Sequence, residues 1–284
     1  MTAGDEPYAR RKVVDHIVRG ACVLATALAL VPLGLVLYYV AVRGVGGLDW
    51  DLLTELPKPV GETGGGVANG IVGTLELVGL ACLFGIPPGV LAGVYLAEFG
   101  SGKLAKVVRF SADVLSGVPS IVVGIFVYSM IVLTTKRFSA LAGGVALAVL
   151  MLPTVTRTTE ELLKLVPTAL REAALGLGVP KWRATLSVVL RTAAPGIATG
   201  VMLAVARVAG ETAPLLFTAF NNQFWSEGLN EPTASLPVQI YTYAVSPYED
   251  WQQKAWASAL VLVALVLFLN VAARLLVKSR VRTR

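Results

Sequence analysis

The chain has 284 residues, 55% of them hydrophobic and 15% charged, with a net charge of +6 and a mean hydropathy of +0.71. That balance excludes a disordered polypeptide and departs from soluble globular usage, in which about a quarter of residues are charged. A polytopic helical membrane protein remains, and the positive balance then reads as a topology signal rather than a nucleic-acid footprint. Cys22 and Cys82 lie in separate apolar runs and His16 is the single histidine. Neither a disulfide framework nor a metal site is expected.

A hydrocarbon core of about 30 Å takes about 20 residues of helix. Six segments approach that length: about 17–42, 71–98, 111–133, 138–156, 193–220 and 255–278. The first follows Arg10, Arg11, Lys12 and Arg19. Its apolar stretch is too long for a signal peptide and no small-residue cleavage site follows, so it reads as a retained span. Residues 43–70 then form an outer segment with Pro57, Pro59 and Gly64-Gly65-Gly66, a flexible linker by composition. In the third span Pro119 removes a backbone donor and predicts a kink. Ser116 and Ser120 on either side can satisfy the freed backbone. The fourth span closes at Met151-Leu152-Pro153. Residues 221–254 make a second long outer segment. Trp225, Tyr241, Tyr243 and Trp251 suit a headgroup belt, and Glu227, Glu231, Glu249 and Asp250 read as solvated surface.

Six spans place both ends on one side. That side carries 18 of the 24 basic residues, which makes it cytoplasmic by the positive-inside rule. The organisation is therefore a tail at 1–16, a first span with linker at 17–69, a main transmembrane domain at 70–278 and a tail at 279–284.

A charge at mid-bilayer costs about 2.5–3.5 kcal/mol even on the lenient insertion scale. Arg207 stands mid-way along the fifth span and Glu211 four residues later, which on one helix predicts a shared face. Such a face must point into the bundle or a water-filled route. Glu76 lies near the outer end of the second span, at the interface or in an outer vestibule. Asp113 and Glu98 fall near inner ends, where an interfacial position is expected.

The stretch 157–192 is the most informative polar segment. Pro167 suits a first helical turn. Leu170, Ala173, Ala174 and Leu177 recur at helical spacing, and Gly178 is a natural stop before Pro180. A short cytoplasmic helix over about 167–178 is predicted.

At this point the sequence resembles a family. Glu172-Ala173-Ala174, followed after three residues by Gly178, is similar to the EAA motif of ABC importer permeases. Val188 and Leu190 continue the pattern, while Arg191 stands where the family has proline and Pro195 lies four residues on. Gly117 to Gly124, the stretch Ala206-Arg207-Val208-Ala209-Gly210-Glu211-Thr212-Ala213-Pro214, and Gly93 to Glu98 look like segments of PstA-type phosphate-importer permeases. The resemblance covers about 70–278.

The resemblance implies an all-α, six-span bundle of the MetI-like permease type in a bacterial inner membrane. Arg171, Glu172, Ala173, Ala174 and Gly178 would couple to an ATPase, and Arg207, Glu211, Thr212, Ser120 and Glu76 would belong to the substrate pathway. It also implies a second homologous permease subunit, two cytoplasmic ATPase subunits that hold ATP and Mg, and an extracytoplasmic phosphate-binding protein. No Gly-x-x-x-x-Gly-Lys-Ser/Thr loop occurs, so no P-loop ATPase site, catalytic residue or cofactor is expected in this chain. The rival reading is a proton-coupled secondary anion transporter using Glu76, Asp113 or Glu211, which would give the Glu-Ala-Ala helix no partner. An intramembrane enzyme finds no paired catalytic groups.

Overall fold

The computed structural model describes residues 5–62 and 64–282. Every regular element among them is helical: α1 Asp5–Val45, α2 Trp50–Thr54, α3 Ala68–Val94, α4 Gly102–Gly117, α5 Ser120–Val127, α6 Leu133–Thr135, α7 Ala140–Lys164, α8 Thr168–Gly176, α9 Lys181–Ala184, α10 Leu190–Ala209, α11 Ala213–Thr218, α12 Leu236–Ala244 and α13 Glu249–Arg282. Single π-helical turns join some of these into longer rods: Tyr95–Phe99 extends α3, Tyr128–Val132 links α5 to α6, and Thr185–Val189 links α9 to α10. Five helices are long and apolar enough to cross a membrane, and a pair bent by 107°, α4 with 120–135, makes a sixth when counted as one span. The terminal tails expected at 1–16 and 279–284 continue their helices as far as they fall within the described residues.

The bundle is built on α3 and α7. Positions along the two increase together: Gly85 lies against Ala148 and Met151, Gly89 against Val155, and Gly93 against Thr156 and Thr159. The helices are therefore parallel, and a glycine every fourth residue lets their backbones approach, as small-residue seams do in membranes. Helix α10 runs the other way along α7, with Gly196 against Leu162 and Gly200 against Thr158. Leu77, Ala81, Leu147, Met151, Val155, Ala204 and Val208 form the common core. Helix α1 packs on α13 in antiparallel fashion, Gly44 against Trp256 and Leu260, Gly47 against Gln253 and Ala257. Its remaining apolar side chains are mostly exposed, as a face toward lipid tails requires.

Three expectations are corrected. First, the 43–70 segment is folded. Asp49 caps α2 by accepting the Leu52 amide at 2.7 Å, the Val67 amide returns to the Leu52 carbonyl at 2.8 Å, and Leu52 and Val67 are buried. Gly64 and Gly65 have φ of +78° and +82°, so here glycine supplies a fold-back rather than flexibility. Second, the third span is not a kinked helix. Helix α4 already begins at Gly102, before the expected start of the span at 111, and its axis meets the 120–135 rod at 107°. Val118 takes ψ 130° and Pro119 ψ 137°, because proline cannot continue the ladder and its predecessor avoids the α region. Third, the fifth span is a rod from Lys181 to Ala209 that stops before α11.

Part of the outer segment 221–254 folds back into the bundle, while Trp225, Glu227, Glu231, Glu249 and Asp250 stay exposed, as expected of a surface. The first turn of helix α12, Leu236 to Gln239, is buried together with Tyr243, while Tyr241 is 51% exposed. Asn69 holds it: its carbonyl accepts the Gln239 amide at 2.9 Å and its own amide donates to the Asn222 carbonyl at 2.7 Å. Thr74 accepts the Leu236 amide at 2.9 Å. Burial among Trp251 and its neighbours pushes the Tyr243 phenol up to about 12.

A Cβ at Gly89 would lie 2.9 Å from the Val155 side chain, whereas Gly79 has open space around it. Gly89→Leu should therefore destabilise the chain by about 1–3 kcal/mol, the range for overpacking, and Gly79→Leu should not. Thermal unfolding of the detergent-purified variants checks the difference; equal midpoints would contradict the seam.

Candidate functional site

The depth of Arg207 follows from the α7–α10 contacts. Leu162 and Thr158 face Gly196 and Gly200, so two further turns bring Arg207 and Val208 level with Met151, near the centre of α7. At that level α10 ends. Gly210 caps it, with its amide on the Arg207 carbonyl at 3.2 Å and the Glu211 amide on the Val208 carbonyl at 3.2 Å. The chain restarts as α11, whose first carbonyl, on Thr212, accepts the Leu215 amide at 3.1 Å. Helix α11 then climbs to the outer end of α7, where the Thr218 carbonyl accepts the Ser139 amide at 3.0 Å.

A span interrupted at mid-depth leaves backbone carbonyls and amides free of the helical ladder. Such irregular backbone survives in a membrane only where protein or water covers it. In transporters, discontinuous spans of this kind carry the substrate site.

The break alters the geometry expected for the charged pair. Glu211 is beyond the end of α10, so it does not share a helix face with Arg207. The two still meet: Arg207 Nε lies 3.9 Å from Glu211 Oε1, with the Arg207 side chain 62% exposed and Glu211 18%. The contact is long and the guanidinium faces open space. A pair of that exposure is worth little to stability.

Helix α5 reaches the same region. Gly124 packs on Pro214 without room for a Cβ. Farther out the Phe138 and Phe220 rings stack at 4.9 Å, so α5–α6 and α11 advance side by side. Ser120 opens α5 one turn before Gly124, and Thr212 stands two residues before Pro214. Both are half-buried and flank one contact. Four of the five pathway candidates are thus gathered at the two chain breaks. Glu76 is not among them. It lies on α3 next to Leu77, which packs on Gly143 near the outer end of α7, and among the described residues it has no hydrogen bond or ion pair.

The second candidate region is the hairpin of α8 and α9 between α7 and α10. Helix α8 ends in a Schellman motif: the Val179 amide bonds the Ala174 carbonyl at 3.1 Å and the Gly178 amide the Leu175 carbonyl at 2.9 Å. Gly178 has φ +77°, as this cap requires. Glu172, Ala173 and Gly178 are exposed, and Leu177 is 84% exposed. Ala174 is 7% exposed and packs toward the bundle. Arg171 also points inward, donating to Glu98 at 2.7 Å. Of the five coupling candidates, three present a surface and two face the bundle.

Sequence reasoning missed a charge cluster beside this hairpin. Glu160 is 1% exposed on α7 and is held by Lys164 at 2.6 Å, Arg109 at 2.7 Å and Arg157 at 3.4 Å. Arg157 also pairs with Asp113 on α4. The signal available was the i, i+3 and i, i+4 placement of Arg157, Glu160 and Lys164. Their convergence with α4 needed the tertiary fold. Asp113 and Glu98, expected to be interfacial, are both committed to arginines. No group of three metal-ligating side chains exists among the described residues.

Residues 89–282 match the family model described as "Binding-protein-dependent transport system inner membrane component". The chain is 49% identical over 242 residues to the phosphate transport system permease protein PstA of Yersinia pestis, covering 85% of this chain and 82% of that protein. It is 44% identical to the PstA of Xylella fastidiosa strain Temecula1 over 283 residues, 99% of this chain and 98% of that one. PstA 1 of Mycobacterium tuberculosis strain H37Rv is 38% identical over 275 residues, covering 94% and 88%. Among solved structures, the fold matches an inward-facing MetNI methionine ABC transporter with a TM-score of 0.63 at 21% identity, over 75% of this chain and 95% of that one. A bacterial ABC transporter that imports alginate matches with a TM-score of 0.62 at 17% identity, over 93% and 98%. The relatives carry the names of transport permeases, which removes the ground for a proton-coupled secondary carrier. By the family model over residues 89–282 and by relatives 38–49% identical over most of their length, the chain belongs to the binding-protein-dependent transport system inner membrane components, as an ABC permease of the PstA group.

Proposed function

We propose that the chain is a permease subunit of an ATP-driven phosphate importer and that Arg207 lines its route. The observation that carries this reading is a half-free guanidinium at mid-depth where a span is broken. A guanidinium offers a planar fork that matches two phosphate oxygens. Glu211, in reach but loosely held, neutralises Arg207 while the route is empty. That keeps substrate binding weak enough for release, which conduction demands. Thr212 and Ser120 supply hydroxyls beside the breaks. Glu76 belongs to the outer wall.

In this reading a second homologous permease subunit closes the open side of Arg207. Two cytoplasmic ATPase subunits hold ATP and Mg; this chain has no ATPase site and no cofactor of its own. An extracytoplasmic phosphate-binding protein delivers substrate to the outer face, lipid covers α1, and no nucleic acid takes part. The chain lies in the bacterial inner membrane with both termini cytoplasmic. Glu172, Ala173 and Leu177 form the surface that docks on the ATPase, with Gly178 shaping the turn. Arg171 and Ala174 support that helix from behind. Closure of the ATPase pair shifts the two-state bundle between outward- and inward-facing forms.

Labelled-phosphate uptake by cells lacking the chain, with and without its return, tests the whole assignment. Arg207→Gln should lower uptake at least about tenfold, the worth of one hydrogen bond to a charged group, while the intact complex is still recovered. Arg207→Lys should restore it in part. Full uptake by the Gln variant would remove Arg207 from the route, and loss of the complex would assign the ion pair to assembly. Gly178 presents a conformational test, since open space surrounds it. A Cβ in the left-handed region costs about 1–2 kcal/mol, with asparagine the tolerated exception. Gly178→Val should depress uptake and Gly178→Asn should largely keep it; equal uptake would show that the cap is not needed.

A further inference from the structure

The inner ends of α3 and α7 are bound together by two guanidinium groups from other elements. Arg109 of α4 donates through Nε to Glu160 at 2.7 Å and through Nη2 to the Leu96 carbonyl, in the π-turn of α3, at 2.9 Å. Arg171 of α8 makes a denser set of bonds. Its Nε and Nη2 reach Glu98 Oε1 at 3.0 and 2.7 Å, Nη2 also reaches the Leu163 carbonyl at 2.7 Å, and Nη1 reaches the Val166 carbonyl at 2.5 Å. The side chains of Arg171 and Glu98 are 21% and 6% exposed.

One side chain of the short helix thus engages three residues, Glu98, Leu163 and Val166, at the inner ends of two other helices. It neutralises the buried carboxylate that ends α3. It satisfies carbonyls at and just past the C-terminus of α7, where the helix dipole favours a cation. These bonds are directional and shielded from water, so α8 cannot shift without stretching them or carrying α3 and α7 along. Those two helices are sealed along their glycine seam and share a core with α10 through Ala204 and Val208.

We propose that Arg171 is not an ATPase contact but the positioning residue that transmits displacement of α8 to the α3–α7 pair. It is a strut between the coupling surface and the helices beside the route. The inference rests on the reading of α8 as the ATPase-docking helix. It separates two duties within adjacent residues: Glu172 and Leu177 face outward to receive motion, and Arg171 faces inward to pass it on.

The test uses the full complex, with its ATPase and second permease subunits, in liposomes supplied with the phosphate-binding protein. Phosphate delivered per ATP hydrolysed is measured. Arg171→Gln should leave ATP hydrolysis running while delivery per ATP falls about tenfold, since a glutamine cannot replace charge-assisted bonds to both helices. A residue with a purely structural role would lower complex recovery without changing that ratio. Glu98→Gln should lower the ratio in the same direction. The double variant should be no worse than Arg171→Gln alone, because both changes cut one link. An unchanged ratio in the single variants, or losses that simply add, would overturn the strut. If Arg171→Gln does not assemble, the Glu98→Gln ratio decides in the same way. Leu177→Glu separately checks the docking reading: if that variant retains the ATPase and normal coupled uptake, α8 is not the docking helix and the strut falls with it. Loss of ATPase binding there, with an unchanged ratio in Arg171→Gln, removes the strut alone.

Discussion

The parallel contact of α3 with α7 is the constraint on which the bundle depends. Lipid tails offer no hydrophobic drive for helices to associate, so contact must come from close van der Waals packing and interhelical polar bonds. The glycines at 85, 89 and 93 provide the first. The buried Glu160, with cations from α4 and α7 around it, provides the second at the inner end. Removing one member of such a buried set leaves an uncompensated charge, which costs far more than the pair is worth when intact. The frame is therefore stiff at the end next to α8.

The remaining elements are irregular, and in a consistent way. The spans that approach the proposed route are the ones that break: α4 gives way to α5 at Val118-Pro119, and α10 to α11 at Gly210–Thr212. The helices that only frame the bundle stay continuous, α3 and α7 even through internal prolines. A proline inside a helix is tolerated where neighbours re-satisfy the backbone. At Pro119 the change of direction exceeds a right angle, and the chain uses it to lay α5 against α11. Polar backbone is thus concentrated beside Arg207 and kept out of the frame.

The same division governs charge. Glu98, Arg109, Asp113, Arg157, Glu160 and Arg171 all have partners at short range. Arg207 is mostly exposed and only loosely engaged. Charges that hold the frame are saturated, and the charge proposed to meet substrate is left with capacity to spare. At the outer end the Lys58 ammonium hydrogen-bonds the Glu55 carboxyl and holds it below its usual range. That pair is partly exposed, and Glu55 also accepts the Gly65 amide, so it shapes the folded linker rather than the proposed route.

The sequence alone determined the class, the approximate number of spans, the presence of a charge, Arg207, within an apolar run, and the capped helix ending at Gly178. Each depends on local or one-dimensional properties: apolar run length, the cost of charge in lipid, and the left-handed turn that glycine accepts. Only the tertiary structure decided the rest. Whether Pro119 kinks a helix or ends it depends on what packs against the next turn, and here Gly124 finds Pro214. That Glu211 leaves the helix of Arg207 depends on a stop at Gly210 that spacing cannot reveal. The linker 43–70 looks flexible by composition because glycine serves disorder and sharp turns alike. The inward faces of Arg171 and Ala174, and the convergence of Arg109 and Asp113 on α7, required knowing which helices lie side by side. Pairings between distant segments are set by packing across the bundle, and no periodicity in one dimension encodes them.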